Sequence, residues 1–406
     1  MRKLLVIPGY CTSLGGMTVS ISMMVRGFER YGASEPISVL VRSGTLMEEY
    51  LRSTGQGFCL QLIDAQDQPQ FVKRALRWVR EQPRDWPLLL ENCGNRQLLP
   101  TLAFAAPALR LSGRPVYHIF RDLALSYNLL GNLGRNLAFA CLSPRILCNS
   151  QFTASHIRFR LGNVQGILYP PVDISQFNER PSQPPRELQS IKNSGAYVML
   201  TPSRISEPSK VNDKNLRTLI SVIAQLKASG HHYHGVIIGQ DSSPGQTRTR
   251  ALLDLAKCLG VADRFTILPP TLAIEDYYKY ADVVVTLSPR EPFGRTVVEA
   301  IACGVPVVGS QTGGVGEILA HFAPQWTVDP NNPVAAAEAI VHIAADPDTP
   351  NILAQGKRWV EAQCSTVGYA RRMIEITGLD AKAPGGTVTE LSKREGYSSF
   401  HLHKPQ

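Results

Sequence analysis

The sequence lacks both a membrane-spanning stretch and paired cysteines. No uncharged apolar run reaches the roughly 18 residues that a transmembrane helix needs. The apolar stretch within residues 1–9 is too short for a signal peptide and predicts a first strand instead. The eight cysteines are scattered without a Cys-x-x-Cys pair, which argues against a disulfide framework and a zinc ribbon. These absences predict a reduced, cytoplasmic protein.

Motifs for several other chemistries are also missing. No Gly-x-Gly-x-x-Gly follows the first strand, which argues against a dinucleotide-dependent dehydrogenase. The arginines are not interleaved with aromatic residues, so nucleic-acid binding is not expected. His231, His232 and His234 have no nearby carboxylates and predict a solvated loop. Asp346 and Asp348 form the only Asp-x-Asp and predict a cap and turn. We therefore expect no metal.

Two α/β patterns follow one another along the chain. The length of 406 residues suits two domains. Strands are predicted over residues 3–8, 36–41, 58–63, 87–91, 115–119, 145–149 and 166–169, and then over 196–201, 235–239, 264–268, 281–287, 305–309 and 326–328. Because helical stretches separate most of these strands, both sheets are predicted to be parallel. Ligands of such sheets bind beyond the carboxyl ends of the strands.

The composition divides the chain further. We predict an N-terminal Rossmann-like domain over 1–172, a linker over 173–195, a C-terminal Rossmann-like domain over 196–350, closing helices over 351–378 and a disordered polar tail over 379–406. The net charge of +9 is concentrated in residues 1–175, which contain 19 lysines and arginines against 11 acidic residues. The N-terminal half is therefore expected to meet any acidic partner.

The most informative segment is Glu-Pro-Phe-Gly-Arg-Thr-Val-Val-Glu at residues 291–299. It lies where a buried strand is predicted to turn into a helix. A second strand then leads through Gly313 and Gly314 into another short helix. Two helix N-termini are thus predicted at one edge of a sheet, where unpaired N–H groups and positive dipole ends attract anions. The expected ligand is a nucleoside diphosphate.

This segment, with a glutamate, seven residues and a second glutamate, resembles the donor motif of glycosyltransferase family 4. The resemblance extends to 167–177, 201–204, 214–220, 236–239 and 312–317, which follow in the family's order. It implies a GT-B fold, in which two Rossmann-like parallel-sheet domains face a central cleft. It also implies a retaining transfer of a hexosyl group from a nucleotide sugar, without a metal or another cofactor.

By the same resemblance, Arg204 and Lys214 stabilise the departing phosphate and Glu291 binds hydroxyls of the donor sugar. The remaining donor contacts are assigned to Gly239, Phe293, Gly294, Arg295, Thr296 and Glu299, the last of which holds the ribose. No strong base is evident, and in such enzymes the departing phosphate is thought to accept the proton of the acceptor.

Three of these assignments have rivals in the sequence itself. Thr296 and Glu299 have the spacing of a capping box, in which Glu299 would only cap its own helix. The interval between Arg204 and Lys214 is longer than is usual in the family, and it contains Lys210 as an alternative cation. Arg295 stands where an aliphatic residue is common, and a phosphate contact is a possible role for it.

The N-terminal domain provides weaker motifs. Gly15 and Gly16 precede the first long helix and would let the backbone approach the donor phosphate, although a plain tight turn explains them equally. His118 either supplies the histidine that the family places at a strand end or is a core residue. In the second case Arg121 and Asp122 occupy that position.

Residues 71–80 predict a basic amphipathic helix. It either lies on an anionic membrane surface at the inner face of the membrane or packs on the core with its cations in solvent. In the family the N-terminal domain binds the acceptor, which is often lipid-linked or part of a polysaccharide. Peripheral membrane association through this basic domain is therefore an expectation.

The function predicted from these residues is hexosyl transfer from a UDP- or GDP-sugar to an acceptor hydroxyl, as in polysaccharide biosynthesis. Two alternatives stay open. A GT-B sugar-nucleotide epimerase would need acid–base carboxylates that we cannot locate in the sequence. A non-catalytic protein that binds anionic ligands or membrane surfaces would not need the complete donor motif.

Overall fold

Two parallel β-sheets make up the framework of the protein. The structure is a computed structural model, and it describes residues 2–12, 16–32, 37–124, 129–208 and 213–379. In each sheet every neighbouring pair of strands is parallel. The predicted α/β class and the pair of Rossmann-like domains are confirmed.

The N-terminal sheet has seven strands in the order β3-β2-β1-β4-β5-β6-β7. Its strands are β1 (Leu4–Pro8), β2 (Ile37–Arg42), β3 (Leu60–Ile63), β4 (Leu88–Glu91), β5 (Val116–Phe120), β6 (Arg145–Cys148) and β7 (Val164–Ile167). Its helices are α1 (Gly16–Arg30), α2 (Leu46–Ser53), α3 (Gln68–Glu81), α4 (Leu99–Leu111), α5 (Leu129–Leu142) and α6 (Gln151–Leu161).

The C-terminal sheet has six strands in the order β10-β9-β8-β11-β12-β13. Its strands are β8 (Tyr197–Pro202), β9 (Tyr233–Ile238), β10 (Phe265–Leu268), β11 (Val283–Thr286), β12 (Val307–Ser310) and β13 (Thr327–Val328). The helices of this half are α7 (Arg186–Asn193), α8 (Leu216–Ala228), α9 (Thr247–Cys258), α10 (Ile274–Lys279), α11 (Arg295–Ala302), α12 (Gly313–Leu319), α13 (Pro333–Ala345), α14 (Thr349–Cys364) and α15 (Thr366–Thr377).

The predicted strands all appear, with ends shifted by at most two residues. The reason is burial on both faces of each sheet, which demands continuous apolar runs such as Val283, Val284 and Val285. Both sheets lie between layers of helices, and their side chains form separate hydrophobic cores in the two domains. The period of the sequence pattern was therefore sufficient to find these elements.

The connections between the domains differ from the expectation. Within the predicted linker the structure has helix α7, whose Leu188 is buried in the C-terminal core. The predicted closing helical run is divided into α14 and α15 at Ser365, whose side chain accepts a hydrogen bond from the N–H of Gly368 over 3.2 Å. The tail from residue 380 onward lies outside the described residues.

Helix α15 returns to the N-terminal domain. It packs along α1, and Tyr369 and Met373 belong to the N-terminal core. The hydroxyl of Tyr117 on β5 donates a hydrogen bond to the carbonyl of Ile376 over 2.9 Å. The last helix among the described residues is thus part of the first domain, because its apolar face completes that core.

Helix α3 resolves the two interpretations of the basic amphipathic segment. Its apolar residues are buried in the N-terminal core, namely Phe71, Val72, Ala75, Leu76 and Val79. Its cations Lys73, Arg74, Arg77 and Arg80 are exposed. The apolar face is not available to a membrane, so the core-packed interpretation is the correct one. In the described part of the chain, no helix combines the length and hydropathy needed to span a bilayer.

Candidate active site

The two glycine-containing loops of the C-terminal domain pack against each other. Gly294, with φ +95°, precedes α11, and the N–H of Gly314 donates to the carbonyl of Glu291 over 2.7 Å. A Cβ atom on Gly314 would lie 2.4 Å from the carbonyl oxygen of Phe293. The glycines of α12 are therefore needed for the contact between the loops. Among the two predicted helix N-termini, that of α11 remains for a ligand.

Lys214 and Glu291 form an ion pair, although 77 residues separate them in the sequence. Their side chains keep 18% and 23% of their accessible surface. Glu291 follows β11 and Lys214 lies between β8 and α8. Because β8 and β11 are neighbours in the sheet, both residues lie at its carboxyl edge. The structure thus brings together two of the predicted catalytic residues.

The residues on either side of Lys214 hold it in place. Ser288, after β11, donates a hydrogen bond to the carbonyl of Asp213 over 3.0 Å. Asn215 adopts the left-handed conformation with φ +51°, and its side-chain amide donates to the carbonyl of Pro330 over 2.6 Å. The lysine is thereby fixed from both neighbours. The alternative cation, Lys210, lies outside the described residues.

Arg204 leaves the same edge of the sheet, two residues after β8. Its side chain is exposed and makes no hydrogen bond or ion pair with the described residues. Gly239, after the neighbouring strand β9, packs so closely that a Cβ there would lie 1.8 Å from the carbonyl oxygen of Ser203. The absence of a side chain at 239 therefore leaves room for the backbone of Ser203, the residue before Arg204.

Glu299 is buried and does not cap its helix. Helix α11 begins at Arg295 after Gly294, and Thr296 lies inside it, so the capping-box interpretation is wrong. Instead the hydroxyl of Tyr278 donates to Glu299 over 3.0 Å. Burial raises the pKa of Glu299, while nearby Arg295 and the bond from Tyr278 act in the opposite direction. The carboxylate predicted to hold the ribose is thus enclosed by protein in this structure.

Arg295 joins the two domains. Its guanidinium donates to the hydroxyl of Ser20 on α1 over 2.6 Å and to the carbonyl of Pro171 over 3.2 Å. It also lies 3.5 Å from the carboxylate of Glu299. Since these partners already use its donors, the side chain does not point to an open phosphate site. Its distinctive position in the sequence corresponds to an interdomain contact.

Two of the remaining predicted residues are described by the structure, Gly16 in the N-terminal domain and Phe293 in the C-terminal domain. Gly16 is the exposed first residue of α1, and a Cβ there would have no other group within 4 Å. That open space at a helix N-terminus is compatible with an approaching phosphate. Gly15 lies outside the described residues. Phe293 is buried and stacks on Tyr169 with ring centroids 5.9 Å apart.

His118 does not reach the cleft. It lies in the middle of β5, fully buried, with its ring 4.2 Å from that of Phe120 and 4.8 Å from that of Phe139. Burial, with a smaller effect of Arg135, lowers its pKa to about 3, so the ring is neutral. The proposed catalytic role of His118 is therefore not supported by its position. The two-residue alternation of the strand directs this side chain into the core.

Arg121 and Asp122 occupy the end of β5 instead. The guanidinium of Arg121 pairs with the buried carboxylate of Glu91 at the end of β4. Burial alone would lower the pKa of Arg121, but Glu91 raises it above its usual range. Asp122 is exposed and accepts a hydrogen bond from Asn92 over 3.2 Å. Of the two registers left open, the geometry favours the one without a histidine at the cleft.

The chain is similar to known proteins in sequence and in fold. Residues 190–359 match the family model described as glycosyl transferases group 1. The matched part is less than half of the chain, and it lies mostly in the C-terminal domain. It contains Arg204, Lys214, Glu291 and Glu299.

Curated relatives match the chain in part. A protein named D-inositol 3-phosphate glycosyltransferase from Thermobispora bispora is 30% identical over 212 residues, which are 52% of this chain and 49% of the relative. A protein of the same name from Rhodococcus opacus is 34% identical over 143 residues, 35% of this chain and 32% of the relative. The chain thus spans about half the length, or less, of these curated relatives.

Solved structures match nearly the whole chain. The Anabaena protein Alr3699/HepE in complex with UDP has a TM-score of 0.75 at 18% identity, over 93% of this chain and all of that one. Its complex with UDP-glucose gives 0.74 over the same shares of the two chains at 18% identity. Sucrose-phosphate synthase from Thermosynechococcus elongatus gives 0.68 at 16% identity, over 93% of this chain and 99% of that one. At such identities the likeness shows the fold, which is GT-B.

One contact of Glu317, at the carboxyl edge of the C-terminal sheet, escaped the sequence analysis. Glu317 on α12 accepts hydrogen bonds from the backbone N–H groups of Gln151 and Phe152 over 2.9 and 2.7 Å. It also accepts one from the Tyr169 hydroxyl over 2.8 Å. A carboxylate of one domain therefore caps helix α6 of the other. No local pattern could reveal this, because about 165 residues separate the partners.

The loop 291–294 is attached to the same helix. The carbonyl of Pro292 accepts hydrogen bonds from the hydroxyls of Ser150 and Thr153, the latter over 3.1 Å. Ser150 is the N-cap of α6. The loop 291–294 of the C-terminal domain is thus held partly by the N-terminal domain, and a movement between the domains would alter its position.

Proposed function

We propose that the protein is a retaining glycosyltransferase that moves a hexosyl group from a nucleotide-diphosphate sugar to an acceptor hydroxyl, without a metal ion. The observation that carries the proposal is the Lys214–Glu291 pair at the carboxyl edge of the C-terminal sheet. It joins a cation suited to a phosphate with a carboxylate suited to sugar hydroxyls, beside the N-terminus of α11.

The proposed work of Lys214 follows from the charge that develops in the reaction. When the bond between the sugar and the diphosphate breaks, negative charge grows on the departing phosphate. A cation held beside that phosphate stabilises the transition state more than the ground state. Without donor, Glu291 neutralises Lys214. A bound donor would take over the ammonium and leave Glu291 to accept hydrogen bonds from the sugar.

Arg204 is the second proposed cation for the diphosphate. It leaves the same sheet edge and has no partner among the described residues, so a ligand would not have to break an existing ion pair. Two cations and the N–H groups at the start of α11 can together carry the charge that a metal ion carries in other transferases. This is the basis for proposing metal independence.

The proton of the acceptor is proposed to pass to the departing phosphate. The neutral ring of His118 is enclosed in the N-terminal core, and Glu299 is bound by Tyr278 and Arg295. Neither group is available as a base beside the reacting sugar in this arrangement. Retention of the anomeric configuration is compatible with a phosphate that acts on the same face from which it departs.

UDP is favoured over GDP as the nucleotide of the donor. The support is that solved relatives of the fold contain UDP and UDP-glucose. The acceptor is proposed to be a lipid-linked or glycan hydroxyl. For Glu299 to reach a ribose, the contact of Arg295 with Ser20 and Pro171 would have to loosen, which connects donor binding to the interdomain contact.

Two measurements test the proposal. The first is a thermal-shift comparison of UDP, GDP and ADP, in which a nucleotide at a hundred times its dissociation constant adds about 2.7 kcal/mol of stability. We expect UDP to give the largest shift. The second is turnover of isotope-labelled UDP-sugar with a lipid or glycan extract as the source of acceptor.

In the turnover assay we expect Lys214→Ala and Glu291→Ala each to lower kcat on the order of a hundredfold or more. The matched control is Lys192→Ala, which breaks an ion pair with Asp282 at the opposite edge of the same sheet, 3.1 Å long in the wild type. That control should stay within about twofold of wild type. If all three variants behave alike, the assignment of the site is wrong.

The same assay separates the alternatives. An epimerase would release nucleoside diphosphate and altered sugar without any acceptor extract, whereas a transferase forms labelled product only with it. A non-catalytic binding protein would give no turnover and a steep loss of binding with salt.

A further inference from the structure

Helices α4 and α5 of the N-terminal domain carry apolar side chains on their outer as well as their inner faces. The inner residues, including Leu102, Leu109 and Phe139, are buried in the domain. The outer residues are nearly as apolar and strongly exposed, with Phe104 86%, Leu111 87%, Leu133 65% and Leu137 63% exposed. We call these four side chains the α4–α5 face.

Such a face is unusual for a helix that only meets water. A surface helix normally has a polar outer side, as α3 does with Lys73, Arg74, Arg77 and Arg80. The exposed residues of α5 include no charged side chain, and the only cation of that helix, Arg135, donates to the carbonyl of Gly94 over 3.2 Å. Exposed apolar patches of this kind mark interaction sites.

The two helices that carry these exposed side chains pack side by side. Near their C-terminal ends, the guanidinium of Arg110 on α4 reaches the carbonyl of Cys141 on α5 over 3.4 Å. Helix α6 packs beside α5 and adds Phe159, which is 90% exposed, next to the exposed Arg158. The apolar surface thus continues across three neighbouring helices.

The segment that contains α4, α5 and α6 is rich in arginine and poor in acidic residues. Residues 96–162 contain eight arginines, one aspartate and no lysine or glutamate. Arg96, Arg110, Arg145 and Arg158 are exposed. A second copy of the chain docked on this face would bring arginine against arginine. A surface that offers anionic headgroups above an apolar interior complements both the cations and the apolar side chains.

We propose that the α4–α5 face docks on an anionic phospholipid bilayer, with Phe104, Leu111, Leu133 and Leu137 in the interfacial layer and the arginines at the headgroups. Helices α4 and α5 begin after β4 and β5, so their first turns lie at the carboxyl edge of the N-terminal sheet, which faces the cleft. The proposal does not depend on which reaction the cleft catalyses. The proposed membrane contact uses exposed residues of α4 and α5, whereas the apolar face of the neighbouring helix α3, which the sequence pattern had suggested, is buried.

The test is flotation of the full chain with two kinds of vesicle, one of phosphatidylcholine and one in which part of it is replaced by phosphatidylglycerol. We expect binding to the anionic vesicles and little binding to the neutral ones. The double variant Leu133→Glu/Leu137→Glu should reduce binding to anionic vesicles at least about tenfold, because each leucine loses its favourable transfer from water. A matched control, Leu253→Glu/Leu272→Glu, changes exposed leucines of the C-terminal domain and should bind like wild type.

Three further measurements support the interpretation of the flotation result. The melting temperatures of both double variants should match wild type, since all four leucines are at least partly exposed. In a Phe104→Trp variant, brominated phospholipids should quench the added fluorescence, whereas a Leu272→Trp variant should not respond. Arg110→Gln/Arg158→Gln should weaken binding to the anionic vesicles only.

Several outcomes would overturn the proposal. One is that wild type fails to float with anionic vesicles, and another is that the α5 double variant floats as well as wild type. Equal binding to neutral and anionic vesicles would remove the role of the arginines. Self-association in sedimentation that the α5 double variant abolishes, without vesicle binding, would assign the face to a second copy instead.

Discussion

Each domain has a cation–carboxylate pair at the carboxyl edge of its sheet, and the two pairs differ in their access to water. In the N-terminal domain, Glu91 is fully buried and Arg121 keeps 11% of its side-chain surface. In the C-terminal domain, Lys214 and Glu291 keep 18% and 23%. In both cases the two residues follow neighbouring parallel strands.

The difference in burial indicates a structural role for the Glu91–Arg121 pair and leaves the Lys214–Glu291 pair for the proposed chemistry. A buried pair cannot exchange its partner for a ligand without exposing an uncompensated charge to a low-dielectric interior. Arg121 also contacts the hydroxyl of Tyr369 over 3.5 Å, which connects the pair to helix α15. The Lys214–Glu291 pair is partly exposed, so the proposed donor could bind Lys214 through its diphosphate and Glu291 through its sugar without leaving a buried charge unpaired. A cation and a carboxylate thus form a structural ion pair in one domain and a candidate site in the other.

The largest expected effect concerns the buried pair. Glu91→Gln should lower the free energy of unfolding of the N-terminal domain by about 3–5 kcal/mol, because Arg121 stays buried without a countercharge. Urea unfolding followed by circular dichroism measures this. The control is Glu375→Gln, which breaks the exposed Arg371–Glu375 pair on α15 and should cost less than about 1 kcal/mol.

A double variant sharpens the same prediction. Glu91→Gln combined with Arg121→Met removes both charges and should recover most of the lost stability. If the double variant is as unstable as Glu91→Gln alone, then the loss does not come from the unpaired arginine. The structural role that we assign to the buried pair is then wrong.

The contact between the domains should have the next largest effect. Glu317→Ala removes the acceptor for two N–H groups at the start of α6 and should cost about 1–2 kcal/mol. Thermal unfolding measures the loss, with Glu338→Ala, an exposed residue of α13, as the control. No difference between these variants would mean that the lobes are not coupled through this carboxylate.

A smaller effect on stability is expected at the open pair. Lys214→Met should change the free energy of unfolding by less than about 1 kcal/mol, because water can replace the lysine at Glu291. Lys214→Met should therefore lower turnover with little change in stability, whereas the main effect of Glu91→Gln should be a loss of stability. A loss of several kcal/mol in Lys214→Met would show that this pair is a structural joint too.

The smallest expected effect is a change in the pH dependence of stability at Glu299. Burial raises its pKa in the folded state, so the folded protein holds this proton more tightly than the unfolded chain. The contribution to stability is complete below the ordinary glutamate range and is lost as the pH rises through the raised pKa. Glu299→Gln should flatten this decline in melting temperatures recorded above about pH 4. An unchanged slope would contradict the burial argument.

The candidate site could be predicted best where its chemistry is local. Glu291, Gly294 and the start of α11 follow from a strand, a turn and a helix within twenty residues. The position of Lys214 opposite Glu291 was predicted through the resemblance to a known family, since spacing alone cannot bring together residues 77 positions apart. His118 shows the limit of this approach. It is only three residues away from Arg121, yet it lies in the core, whereas Arg121 lies at the end of the strand.

The sequence by itself determined the order of strands and helices, the two parallel sheets and the loop at 291–299. The hydrophobic period and the positions of the glycines act over a few residues, so they can be recognised from residues that are neighbours in the sequence. Only the tertiary structure decided that Glu317 caps a helix of the other domain, that Arg295 joins α11 to α1, and that α4 and α5 leave apolar side chains outside. Those outcomes depend on which surfaces meet after folding, and a helix that is apolar on every side looks the same in the sequence whether its outer face is covered or exposed.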